Sequence, residues 1–142
     1  MIDEILKDGP VNGFPDKELE ELIKIYEKDD TEEAFIKVAK RLDKASLLVP
    51  LAMSDKEISG LYLMQNPDDK NFYMMAFTST SEYKKWEKET KKDSVTFMIE
   101  SLANIASIVK DEKNITAEGL VIDPYGLCIT MPKKIIKSVK DN

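Results

Sequence analysis

Four hydroxyl side chains stand in a row at Thr78-Ser79-Thr80-Ser81, followed by Glu82, Tyr83 and Trp86. At the start of a helix such a run can hold an anion against the unpaired N–H groups of the N-terminus. It can also cap those groups with its own oxygens, with no ligand involved. Capping is the simpler account, because Ser79 and Glu82 have the Ser-x-x-Glu spacing of a capping box. A serine nucleophile would need a base beside it. The chain has no histidine and one cysteine, which removes Ser-His and Cys-His pairs and the usual zinc sites. Only carboxylate, lysine or tyrosine chemistry is left.

The second constellation is Asp123-Pro124-Tyr125-Gly126. Asp123 and Tyr125 could form an acid/base pair in a pocket. The same residues make a type I turn without any chemistry, with Asp at its first position, Pro at its second and Gly at its fourth. Asp29-Asp30 and Asp68-Asp69 lack the alternating oxygen ligands, Gly and terminal Glu of a calcium loop. Arg41 is the single arginine. One such residue, inside an amphipathic helix, argues against a phosphate-handling site, where arginine is the preferred clamp. Cys128 falls in an expected strand, where it reads as a small buried hydrophobe. No cofactor is implied.

The elements that must carry these residues follow from periodicity. Residues 1–15 read as a loosely ordered lead broken at Gly9-Pro10 and Gly13-Phe14-Pro15. Residues 16–142 read as one domain. Asp16 caps a first helix whose stripe is Leu19, Leu22, Ile23 and Tyr26. A second begins at Asp29-Asp30-Thr31, with Asp30 as cap, Glu33 at the capping-box position, and Phe35, Val38, Ala39 and Leu42 as its buried face. Residues 45–53 form an apolar strand, with Pro50 at a bulge or an end. Residues 58–64 and 72–77 make a hairpin around a polar loop.

A helix starts at Ser79 and turns Tyr83 and Trp86 inward, while Lys84, Lys88, Lys91 and Lys92 lie along a solvated face. Val95, Met98, Ile99, Leu102, Ile105 and Val109 then predict one long helix. Residues 119–123 and 127–131 are strands around the Asp-Pro-Tyr-Gly turn, and a short basic helix follows from Pro132. The fold class is α+β. We expect a mostly antiparallel sheet of about five strands covered by two N-terminal helices, two mid-chain helices and a short C-terminal helix.

Net charge is −6, with 27 acidic and 21 basic residues in 142. Residues 1–43 carry −6, residues 44–131 carry −3 and residues 132–142 carry +3. An acidic front with a basic tail is not the broad positive face of a nucleic-acid binder. The first residues are too acidic for a signal peptide, and no run approaches a bilayer-spanning length. With one cysteine, these features predict a cytoplasmic protein with no membrane role.

The segment from Phe77 to Trp86, the later Val121-Ile122-Asp123-Pro124-Tyr125-Gly126-Leu127 and the upstream Ser46-Leu47-Leu48-Val49-Pro50 together resemble the bacterial SseB N-terminal domain family. The likeness runs from about Asp16 to Met131 and implies the same α+β fold. It implies no agreed enzymatic activity. The family often has Asn before the proline, where this chain has Asp123. Longer relatives carry a second, C-terminal domain, which has no counterpart expected here.

The resemblance and the absence of catalytic motifs give the leading expectation, a non-catalytic adaptor or regulatory domain that binds another, unidentified protein. Ser79, Tyr83, Trp86, Asp123, Pro124 and Tyr125 are its candidate contacts. Met53, Met64, Met74, Met75 and Met131, spread over the strands, could add an adaptable patch. Met74 and Met75 must face opposite ways. Self-association into a homo-oligomer is compatible with the same surface. Two other readings stand beside it. One is a small-molecule binder or weak enzyme near amino-acid metabolism, suggested by the family's name, with Ser79, Ser81, Asp123 and Tyr125 converging. The other is a chaperone or immunity-type partner of a secreted protein.

Overall fold

The computed structural model describes residues 6–7, 9–54, 57–91, 96–110 and 117–132. The first helix, α1 (Lys17–Asp29), begins where Asp16 accepts a hydrogen bond from Leu19 N at 2.8 Å. It stops at Asp30, which turns left-handed with φ 40°. Asp30 therefore ends α1 and does not cap the next helix, as the sequence suggested. Thr31 does that, accepting from Ala34 N at 3.1 Å to open α2 (Glu32–Leu42). The buried stripe of α2 is Ala34, Val38 and Leu42, at i, i+4 and i+8, while Phe35 and Ala39 stay exposed. The two helices are tied by Arg41, whose guanidinium bonds both oxygens of Asp16 at 2.8 and 3.2 Å and Glu18 at 2.8 Å. The single arginine is thus a helix clamp.

Seven strands follow among the described residues: β1 (Ser46–Ser54), β2 (Glu57–Leu61), β3 (Leu63–Gln65), β4 (Phe72–Ala76), β5 (Thr96–Ser101), β6 (Gly119–Ile122) and β7 (Ile129–Pro132). They make two sheets, in the orders β2-β1-β5 and β3-β4-β6-β7, not one sheet of five strands. Every pairing is antiparallel except β4 with β6. The sheets are stitched by reciprocal backbone bonds between Leu48 and Phe77, at 2.9 and 3.0 Å. The expected strand over 58–64 is divided at Tyr62, so β2 joins one sheet and β3 the other.

Pro50 sits inside β1 opposite Phe97, and the register shift comes later, between Ala52 and Met53. Leu48 N points to Phe77, away from β5. Strand alternation sends the Pro50 nitrogen the same way, so its missing N–H costs the β1–β5 ladder nothing.

The long helix expected over 95–109 is the main correction. Its first half is β5, and only α4 (Leu102–Lys110) is helical; α3 (Thr80–Thr90) lies earlier, where the sequence placed a helix. Phe97-Met98-Ile99 satisfies a helical or a strand period equally well over so short a run. Pairing along β1 decides between them. Phe97 and Ile99 then pack on one side of the sheet and Met98 on the other. Val95 and the expected C-terminal helix beyond Pro132 lie outside the described residues.

The sheet has an apolar cluster on each face. On one, Leu19 and Ile23 of α1, Val38 and Leu42 of α2, and Leu102, Ile105 and Ala106 of α4 pack against Leu47, Val49, Met74, Ala76, Leu120 and Ile122. On the other, Tyr83 and Trp86 of α3 pack against Leu48, Met75, Phe77 and Val121. Met74 and Met75 face opposite ways, as alternation requires. The lead before α1 is anchored at its end. Phe14 is fully buried in the second cluster and bridged to Val11, and its bond to Pro15 is cis. Among the described residues no helix is long and apolar enough to cross a membrane.

Candidate functional site

The parallel pairing of β4 and β6 puts Ala76 opposite Ile122, so both strands end at the same height. The chain leaving β4 and the turn leaving β6 then lie side by side. Asp123 N donates to Ala76 O at 2.9 Å. The Asp123 carboxylate, 2 % exposed, accepts from Thr78 N at 2.8 Å and from the Thr78 hydroxyl at 2.5 Å. The two sequence motifs are thus one junction. Asp123 adopts φ 52°, a left-handed conformation that Asp tolerates better than most residues. Its carbonyl then accepts from Gly126 N and Cys128 N, each at 2.9 Å. The type I hydrogen bond is present, and Cys128 lies in the turn, left-handed at φ 52° and exposed, not buried in a strand.

Burial pushes the Asp123 carboxyl up to about 6; the two Thr78 hydrogen bonds oppose the shift, the Glu82 charge adds to it and Lys85 offsets part of it. Ser79 caps α3, accepting from Glu82 N at 3.2 Å, and lies 3.1 Å from Ser81 Oγ. Glu82 Oε2 takes Lys85 Nζ at 2.5 Å, while its buried Oε1 has no hydrogen-bond partner among the described residues. The turn passes so close to this carboxylate that a Cβ at Gly126 would collide with it. Only glycine fits there without displacing Glu82.

An anion has no place at this junction. The Thr78 N–H is already given to Asp123. The neighbouring hollow of about 80 Å3 is lined by Glu20, Glu27 and Glu82, with Lys24, Ser79 and Ser81. Nor do Asp123 and Tyr125 form a hydrogen-bonded pair: Asp123 turns into Thr78, and Tyr125 packs half-buried against the aromatic cluster. The Tyr125 hydroxyl is held above its ordinary value by burial and by Glu89.

Of the six expected contact residues, Asp123 bonds Thr78 at the junction, Ser79 caps α3 next to it and Tyr125 edges the core. Tyr83 and Trp86, 0 % and 2 % exposed, are core residues, and Trp86 only edges a hollow described below. Their rings pack 5.5 Å apart, with Phe77, Phe97 and Tyr62 at 5.1 to 6.2 Å around them. Pro124 reaches a different feature.

Beyond the cover of α3, the same sheet face holds a groove of about 180 Å3. Cross-strand register aligns Met64 with Tyr73 and Val121 with Thr130 on its floor. Asn66 and Pro67 wall one end, and Pro124 and Cys128 the other. A second hollow of about 140 Å3, lined by Tyr62, Leu63, Met64, Met75, Trp86 and Thr90, shares Met64 with it. Among the described residues no charged side chain lines either one, in a chain that is 34 % charged. Tyr73 and Thr130 are not singled out by the sequence, and Val121 only as part of the family motif. Alternation would have placed each on a face, but only the strand pairing shows that the faces coincide.

Comparison with curated proteins and with solved structures gave no match. A family model, that of the SseB protein N-terminal domain, matches residues 19–136. That span takes in every described helix and strand except the first two residues of α1, and it contains both halves of the Thr78–Asp123 junction. The chain belongs to the SseB N-terminal domain family.

Proposed function

We propose that this domain is a non-catalytic protein-binding module and that the groove over Met64, Tyr73, Val121 and Thr130 takes an extended, uncharged apolar segment of a partner protein. The observation that carries this reading is the groove's lining: among the described residues it is apolar and neutral polar, on a sheet face that α3 leaves open. Desolvating a charged side chain against such a surface would be costly, whereas an apolar one gains by burial. Methionine at the shared boundary of the two hollows suits a surface that adapts to side chains of different shape. Gln65 and Asn66 supply a polar rim, as protein interfaces usually have. The Asp123 junction then serves to hold one wall of the groove, with no reaction assigned to it.

The test is a peptide-display selection on the intact chain, followed by affinity measurement with Thr130→Arg. Thr130 is exposed, so the variant should keep the wild-type melting temperature. It places a charge in the groove and should weaken the selected peptides by roughly tenfold or more. Peptides that are strongly charged, or that bind Thr130→Arg as well as wild type, would remove the groove from the account.

A further inference from the structure

The junction has a property that a simple structural clamp does not need. Both Asp123 oxygens are committed to Thr78, yet a second carboxylate, Glu82, lies against Gly126 of the same turn with one buried oxygen unpaired. Two acids therefore face one turn, Asp123 buried and Glu82 partly so, and Lys85 reaches only the far oxygen of Glu82. We propose that Asp123, with Glu82 and Lys85 beside it, is a charge-sensitive latch that fixes the turn over residues 123–128 to the N-terminus of α3. Its role in setting the Pro124–Cys128 wall of the groove rests on the docking reading above; the latch itself does not.

The physical basis is an asymmetry between two protonation states. With a proton on Asp123, Thr78 N still donates to one oxygen, and the acid O–H can donate to the Thr78 hydroxyl. The turn then closes with no buried charge at Asp123. Ionised Asp123 keeps both Thr78 bonds but is desolvated and faces the Glu82 charge. Opening the turn returns the carboxylate to water. Closure is therefore favoured by protonation and weakened as pH rises through the folded value. The groups that face Asp123 set where this happens. From α3 these are Glu82 and Lys85; Glu20, Lys24 and Glu27 of α1 line the hollow next to Glu82; within the turn Tyr125 feels the charge of Glu89 on α3. The Gly126 and Cys128 amides both close on the Asp123 carbonyl, so their protection reports how well the turn is held.

Amide hydrogen exchange on the free, full chain reads the latch directly. Protection of the Gly126 and Cys128 amides, corrected for intrinsic rates, should fall by about tenfold between pH 5 and 7.5. Asp123→Asn should hold it level. Glu82→Gln should move the fall to lower pH and Lys85→Gln to higher pH. Those two opposite displacements are a signature that a merely structural role would not give, and they decide the matter if Asp123→Asn does not fold. Protection that is flat with pH in wild type, or displacements that are absent or of the same sign, would overturn the latch. Because no ligand enters the measurement, that failure would leave the docking reading intact. A working latch with peptides indifferent to Thr130→Arg would sink docking alone.

Discussion

Asp123 shows how a single side chain can be read two ways and answer to one, the turn, while doing something that neither reading contained. As a turn former it is legible from Asp-Pro-Tyr-Gly, and the 2.9 Å bond from Gly126 to its carbonyl bears that out. Its burial and its reach to Thr78, 45 residues away in sequence, could not be read, because they depend on the parallel register of β4 and β6. The sign of its effect on stability follows. Its folded value, about 6, is raised above the unfolded 3.8, so its contribution is fully present below pH 3.8 and is lost as pH rises through 6. Asp123→Asn should therefore gain on wild type between pH 4 and 7, by up to about 3 kcal/mol, measured by urea unfolding at each pH. A constant difference would mean the carboxyl is not strained by burial. Trp86 is the opposite case. The helical period that turns it inward agrees with its burial, although the sequence also offered it as a partner contact. Trp86→Ala should cost about 3–5 kcal/mol, seen as a lower denaturation midpoint. A variant with an unchanged midpoint would mean that the ring is not part of the core.

Elements with a local signal were legible. Asp16 and Ser79 cap α1 and α3 as their spacing suggested. The α2 cap was misplaced by one residue because Asp30 and Thr31 are both good caps, and the left-handed turn at Asp30 was not visible in the sequence. The β5 strand was missed for a different reason. Its apolar run is too short to fix a period, and long-range pairing with β1 settles it. The α1–α2 pair has a testable pin in Asp16. Burial opposes its ionisation, but bonds from Arg41 and Leu19 and the Arg41 charge outweigh it and hold the carboxyl below its usual range. That contribution is present above pH 3.8 and is lost as pH falls through the folded value. Asp16→Ala should destabilise by about 1–3 kcal/mol at pH 7 and by less near pH 2. Equal losses at both pH values would show that charge has no part in the pin.

At the scale of the molecule, the α+β class and the helical cover were readable, whereas the division into two stitched sheets was not. The candidate site divided in the same way. Of the residues chosen for their chemistry, Ser79 proved to cap α3 and Asp123 to tie the β6–β7 turn to Thr78 just before it, and the aromatic pair proved to be core. The open groove is made by the alignment of four strands, each of which contributes an unremarkable side chain. The two faces of the sheet give the docking claim its sharpest test. Met64 lies on the groove face, while Met74 and Met131 lie on the face covered by α1, α2 and α4. The measurement is a methionine-methyl NMR titration of the intact chain with a selected apolar peptide. The account predicts a saturable shift of the Met64 methyl resonance, with Met74 and Met131 nearly unmoved. A saturable shift of Met74 or Met131 with Met64 unmoved would place the partner on the other side of the sheet and contradict the account.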